Sequence, residues 1–370
     1  MLENRLGVYL QKQFGEQAPC VVSNLVQHNS GWENDVYSFQ YAQAGVDHNG
    51  ILRMYQGARA AEKARHEYAG MQRLRAAGYP VPQMRLLEPD SSVLGKPFVI
   101  MEKISGATLA QILREAFDAE HGGFDGAQMM AKPAEADVQS GWGHLTSFCE
   151  LLVKLHSLDW RDFTDTPDVF LCNPYASVER FCSQMNMIAS WCGVLEAEPV
   201  LQWLQEHQQE VPCARLSVMH WDYHPDNVLF SDEGTYAVID WTQIEVGDCR
   251  FDVAWTLMIC SVYSKPMADF ILETYERLAG QKLENLAYFE VAVLTKRLLT
   301  MLISFLHGPA HLGMRPDSIE VMATAIPYLF VIVQRLSEIT GRDLSQLRSR
   351  IAGIEQKQYG GEPGQPLTTE

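Results

Sequence analysis

A chain of 370 residues with 47% apolar content exceeds one compact core, which excludes wholesale disorder and predicts two lobes or domains. The formal net charge of −17 argues against a nucleic-acid partner, because phosphate-backbone binding depends on clustered Lys and Arg, and it favours a cationic ligand. Eight cysteines without a Cys-x-x-Cys pair read as reduced core thiols.

The N-terminus, Met1-Leu-Glu-Asn-Arg-Leu-Gly7, has no apolar stretch of signal-peptide type, and no run of about 18 uncharged apolar residues occurs anywhere. A cytoplasmic protein with no membrane association is therefore expected. From residue 21 short apolar runs alternate with turn signals: a strand over 21–28, a turn over Asn29 to Asp35 and a returning strand over 36–41. A turn Asp47-His-Asn-Gly50 precedes a strand over 51–55. A helix over 58–77 is stopped by Gly78-Tyr-Pro-Val-Pro82, since proline cannot continue it. Strands are expected at 83–87 and 97–103. Ser105-Gly-Ala-Thr-Leu109 reads as a glycine turn with a capping Thr, then a helix over 109–120 and a loop over 122–141. Apolar positions 148, 151, 152 and 155 mark a helix over 145–158. Further strands are expected at 216–219, 228–230 and 236–239. Gly247 and Asp248 read as a turn and Asp252 as the cap of a helix over 253–263. Residues 266–350 are helical in pattern, and residues 351–370, with Gly-Gly, Pro and Thr, read as a disordered tail.

Chemistry concentrates in His220-Trp-Asp222-Tyr-His-Pro-Asp-Asn227 and in Ile239-Asp240-Trp241. Read as hairpin strands, the flanking runs return Asp240 beside Asn227. Mg²⁺ takes hard oxygen ligands and keeps some of its water, so one Asn carbonyl and one Asp carboxylate suffice once nucleotide phosphates complete the set. Asp222 is then free to accept a proton from a hydroxyl. Singly, Asp, Asn and Pro between strands are ordinary turn residues. Jointly, His-x-Asp-x4-Asn with an Asp thirteen residues later follows the logic of the protein-kinase catalytic loop and its metal-binding Asp.

This pattern resembles the aminoglycoside phosphotransferase and choline kinase superfamily, the kinase-like small-molecule phosphotransferases, over about residues 20–345. The resemblance implies an α+β, two-lobed protein-kinase-like fold. A small antiparallel-sheet lobe over 1–103 would bind nucleotide, and a larger, mainly helical lobe over 104–350 would carry catalysis and the acceptor. It further implies that Ser30 and Gly31 bring backbone amides to phosphate oxygens. Arg53, at the place of the kinase lysine, would pair with Glu67 and hold the phosphates, while backbone groups from Met101 to Lys103 bind the base edge. Asp222 becomes the catalytic base or orienter, and Asn227 and Asp240 the Mg²⁺ ligands. His156 and His220 take structural roles, and Asp252 steadies the catalytic loop.

The implied reaction moves the γ-phosphoryl group of ATP or GTP to a hydroxyl of a small molecule. Arg53, Trp221 and Asp226 depart from the usual residues of the superfamily, and an arginine fork binds phosphate differently from a lysine point charge. Acceptors in proteins of similar architecture include aminoglycosides, macrolides, choline and other amino alcohols, sugars and amino acids; the acidic charge favours an aminoglycoside-like cation. An inactive, nucleotide-binding regulatory protein is the alternative. Against it stands the clustering of Asp222, Asn227 and Asp240, since uncompensated carboxylates repel one another.

Overall fold

The computed structural model describes residues 2–15, 20–28, 32–43, 45–121, 141–165 and 173–359. Helix α1 (Leu2–Phe14) was not legible as an element, yet Leu6, Tyr9 and Leu10 bury one helical face against Phe39, Leu52 and Phe98. There follow β1 (Val22–His28), β2 (Asp35–Gln43), β3 (Val46–Met54), α2 (Ala60–Ala76), β4 (Met84–Glu88), α3 (Ser91–Leu94) and β5 (Phe98–Glu102). The five strands form one antiparallel sheet in the order β1-β2-β3-β5-β4.

The expected turn at Asp47 to Gly50 is instead strand, paired residue for residue with Ala42 to Phe39, and the chain reverses earlier, around Gly45 with φ 76°. Gly50 serves close approach rather than turning. A Cβ there would sit 2.8 Å from the Phe39 ring. Cross-strand pairing has overridden the local turn composition.

β6 (Gly106–Thr108) follows, then α4 (Leu109–His121), α5 (Gly141–His156), α6 (Ala176–Trp191), α7 (Glu198–His207), β7 (Leu216–Met219), β8 (Val228–Ser231), β9 (Tyr236–Val238) and β10 (Glu245–Asp248). β6 joins β8 and β9 in a three-stranded sheet, where Gly106 presses on Phe230 O so tightly that a Cβ would lie 2.1 Å away. Thr108 and Gln111 cap α4 reciprocally: Thr108 Oγ1 accepts from Gln111 N at 3.3 Å, and Gln111 Oε1 from Thr108 N at 3.0 Å.

β7 pairs with β10, not with β8. Gly247 and Asp248, expected as a turn, are therefore strand. Helix α8 (Cys249–Tyr263) starts earlier than expected, with Asp248 rather than Asp252 as its cap, because Asp248 Oδ1 accepts from Arg250 N at 3.0 Å. The chain ends in α9 (Lys265–Ala279), α10 (Leu286–His307), α11 (Ser318–Thr324), α12 (Ile326–Thr340) and α13 (Ser345–Tyr359).

α10 is the axle of this region, with Val291, Leu298 and Leu302 fully buried and packed among α7, α8 and α12. Residues 351–359, assigned to a disordered tail, are the end of α13, since Ile351 and Ile354 bury into the same core. Seven cysteines lie among the described residues and all are free thiols. Among the described residues no single helix is long and apolar enough to cross a membrane, and α11 with α12 reaches that length only as a pair bent by 58°.

Candidate active site

Strand β7 delivers His220, and the segment from His220 to Asn227 is then held from three directions. Asp252, one turn into α8, accepts His220 N and Trp221 N at 2.6 Å each. Its Oδ2 also lies 3.2 Å from His156 Nε2, whose Nδ1 meets Tyr275 Oη at 2.8 Å. Thr256 Oγ1 donates to Tyr223 O at 2.7 Å, and Tyr223 Oη donates to Phe148 O at 2.8 Å.

His220 lies fully buried beneath. Its Nε2 donates to Ile239 O at 2.9 Å and its Nδ1 accepts from Asp222 N at 3.2 Å. Burial pushes this imidazole below its usual pKa, which suits the neutral ring those two bonds require. His156, His220 and Asp252 therefore brace the loop.

Asp222 faces the open side with about a third of its side chain exposed. Trp255 Nε1 donates to its Oδ1 at 2.9 Å, and His224 Nε2 lies 3.6 Å from its Oδ2. Burial alone would raise its pKa, but His224, the indole N–H and His220 outweigh that and hold it well below the usual carboxylate range. Burial conversely opposes the charge on His224, yet Asp222 and Asp226 raise its pKa above the usual value.

Asn227 and Asp240 come side by side because Ile239 N donates to Asn227 O at 2.9 Å. Asn227 Nδ2 donates to Asp222 O at 2.9 Å, which directs its amide oxygen elsewhere. Asp240 and Trp221 both take left-handed backbone, each at φ 66°, a conformation that costs a side-chain-bearing residue energy and concentrates at functional sites.

On the sheet side Arg53 is buried and makes the expected pair with Glu67 at 3.3 Å. It also binds Asp240 Oδ1 at 2.5 Å, a contact across 187 residues that no local pattern foretells. Tyr55 Oη donates to Glu67 Oε2 at 2.5 Å, and the Asn34 side-chain oxygen accepts from Arg53 Nε and Nη2 at 3.1 Å each. Glu33 stands close by, its pKa raised by burial and by Asp240 and Asp222 against the pull of Lys63 and Arg53.

Ser30 and Gly31 lie outside the described residues, as does most of the expected loop over 122–141. Met101 is paired within the sheet to Ile51 and Met84. Glu102 N donates to Gln83 O at 2.9 Å and Lys103 N to Asn49 O at 3.3 Å, so two of the three amides expected at a base edge are already engaged.

Sequence reasoning also passed over Lys296 and Arg297 on α10. Lys296 Nζ sits 3.8 Å from the Trp221 ring centroid and 5.3 Å from that of Trp255, and donates to Gln243 Oε1 at 3.0 Å. The Arg297 guanidinium stacks on Trp32 at 4.5 Å. A recess of about 660 Å³ beside Asp159, Arg161 and Arg215 contains none of the candidate catalytic residues.

A divalent cation fits the donor set. Among the described residues no cluster of three His, Cys, Asp or Glu side chains could hold a metal by itself. The Asn227 amide oxygen and Asp240 Oδ2 are hard donors, and Mg²⁺ accepts such a sparse protein set when phosphates and water fill the rest.

The sequence profile of the phosphotransferase enzyme family matches residues 24–289, a span containing Arg53, Glu67, the catalytic loop and Asp240. The chain belongs to this phosphotransferase family. The phosphotransferase is 26% identical over 261 residues to acyl-CoA dehydrogenase family member 10 of Mus musculus, covering 68% of this chain. It spans 21% of the length of that protein and 28% of that of a second curated relative.

Among solved structures it resembles a Ralstonia eutropha protein classed with the aminoglycoside phosphotransferases, at 19% identity and a TM-score of 0.57, over 86% of this chain and 94% of the other. It also resembles a macrolide 2′-phosphotransferase of Brachybacterium faecium, at 17% identity and a TM-score of 0.52, over 87% and 97%. The fold is thus the two-lobed, kinase-like α+β architecture expected.

Proposed function

We propose that this phosphotransferase moves the γ-phosphoryl group of a nucleoside triphosphate, ATP or GTP, to a hydroxyl of a small molecule. The observation that carries the reading is the convergence of Asp222, Asn227 and Asp240 at one place, with Arg53 fixed between Glu67 and Asp240. The nucleotide would lie between a lobe of residues 1–103 and one of 104–350. Ser30 and Gly31 then lie over its phosphates, Arg53 beside them, and the backbone from Met101 to Lys103 near the base.

Asp222 binds the acceptor hydroxyl and aims its oxygen at the γ-phosphorus. As the new O–P bond forms, the bond to the β–γ bridging oxygen breaks, the nucleoside diphosphate leaves, and the hydroxyl proton passes to Asp222. Its depressed pKa makes Asp222 a weak base, which matches a loose transition state in which orientation matters more than early proton removal. Mg²⁺, held by Asn227 and Asp240, supplies charge neutralisation on the phosphates when bound. Asp240 gives Oδ1 to Arg53 and Thr242, which leaves Oδ2 for that role.

Release of nucleoside diphosphate with ATP and with GTP, across a panel of hydroxyl acceptors, tests the reading. Asp222→Asn should lower kcat by about 10²–10⁴-fold with little change in nucleotide affinity. Unchanged turnover in that variant would sink the assignment.

A further inference from the structure

The whole-chain charge favours a cationic acceptor, but two cations of α10 stand near Asp222. Lys296 and Arg297 are consecutive on α10, and among the described residues neither has a carboxylate within ion-pair distance. Glu245, the carboxylate that acts most strongly on Lys296, is committed to Arg180 at 3.1 Å and to Trp221 Nε1 at 2.8 Å.

The same Trp255 indole that carries the Lys296 ammonium over its face gives its edge N–H to Asp222 Oδ1. Arg297 lies in the field of Asp222, Tyr263 and Tyr328, on the side of α10 that turns to the catalytic loop. The aromatic faces, Gln243 and the more distant carboxylates offset only part of the desolvation of Lys296 and Arg297, and an anionic ligand in direct contact would complete their surroundings. Burial lowers the Lys296 pKa to about 8, so the ammonium is still charged at neutral pH.

We propose that the acceptor is a hydroxy acid whose carboxylate docks on Lys296 and Arg297 while its hydroxyl lies against Asp222. This deepens the phosphotransfer reading and rests on it for the word acceptor. An acceptor bearing a carboxylate is repelled by Asp222 and by the nucleotide phosphates, and Lys296 over Trp255 with Arg297 next to it on α10 would offset that repulsion. A polyamine acceptor would bring ammonium groups onto Lys296 and Arg297 and be rejected by the same field.

The competing source of the anion is the γ-phosphate itself, and the experiment separates the two. Calorimetric titration is run on the full chain with Mg²⁺ and a non-hydrolysable ATP analogue, using hydroxy acids of increasing length, their amides, and amino alcohols. Nucleoside diphosphate release with ATP is followed in parallel, for the wild type, Lys296→Met and Lys296→Arg, each checked for a normal thermal transition. The expected result is that some hydroxy acid binds about 30-fold or more tightly than its amide. Lys296→Met should erase that preference, Lys296→Arg should restore part of it, and nucleotide affinity should stay within about twofold in both.

Tighter binding of the amino alcohols overturns the proposal, as does failure of every hydroxy acid to bind. A Lys296→Met variant that loses nucleotide affinity equally overturns it in favour of the γ-phosphate. Binding with the expected charge preference but without nucleoside diphosphate release keeps the anion pocket and overturns the phosphotransfer reading instead.

Discussion

Lys296 shows how a single residue can trade stability for binding. Its folded pKa of about 8 lies below the ordinary 10.5, so between those values the unfolded chain holds more protons than the folded one. Stability contributed at this site therefore rises with pH across that window, and at pH 7 the full desolvation cost is present. Lys296→Met, which keeps the apolar stem, is expected to raise Tm at pH 7, with the gain shrinking as pH climbs from about 8 towards 10.5; differential scanning calorimetry across that range reads it out. Glu67 is the counter-example, a buried carboxylate whose Oε2 accepts from Tyr55 and whose Oε1 lies 3.3 Å from the Arg53 guanidinium. Glu67→Ala should leave Arg53 pulled towards Asp240 alone, raising KM for the nucleotide by roughly 10-fold, on the order of 1–2 kcal/mol for a lost charge-assisted contact. A nucleotide KM that does not move would separate Glu67 from Arg53 in function. The Arg53–Glu67 pair was legible through the family resemblance, which puts Arg53 at the place of the kinase lysine and Glu67 on the helix that follows. The sequence could not reveal Arg53–Asp240 or the Lys296–Trp221 contact, which join residues far apart in the chain, and on α10 a lysine beside an arginine looks like any solvated helix face.

At the level of elements, the three-way support of the catalytic loop is the feature on which the rest depends. Asp252 takes two backbone N–H groups of the loop and one imidazole at once, all within a buried setting. Asp252→Ala should orphan those donors and destabilise the fold by about 3–5 kcal/mol, as loss of one partner from a buried polar network does. Asp252→Asn, which keeps one acceptor oxygen, should cost less, and urea unfolding of the two variants distinguishes them. Asp252 was readable as a loop brace only through the family resemblance. Its local signal, an acidic residue near a helix start, pointed to a cap, while the actual cap, Asp248, had the signature of a turn. Asp47 to Gly50 failed for the same reason: Asp, Asn and Gly are turn residues until a neighbouring strand offers pairing along their whole length. The paired strands β8 and β9 were legible because they are short apolar runs separated by polar residues and a glycine.

Across the whole molecule, α13, the last described helix, is part of the core. Ile351 and Ile354 sit in the cluster that contains Leu298, Leu302, Leu336 and Leu347. Ile351→Ala should therefore cost about 2–5 kcal/mol, measured by chemical unfolding, where a residue of a disordered tail would cost nothing. The tail reading failed because glycine and proline beyond residue 359 coloured the composition of a window that includes the final helical turns. The two halves of the molecule also meet away from the nucleotide. Trp32 O accepts Arg315 N at 2.8 Å, Lys63 Nζ reaches Gly313 O at 3.5 Å, and the Trp32 ring lies on Arg297. Trp32 thereby ties the sheet to α10 at the guanidinium proposed to greet the acceptor. If the nucleotide leaves by parting the two lobes as proposed, its exit would peel this indole from its cation, and kcat should then fall as the viscosity of the medium is raised with sucrose.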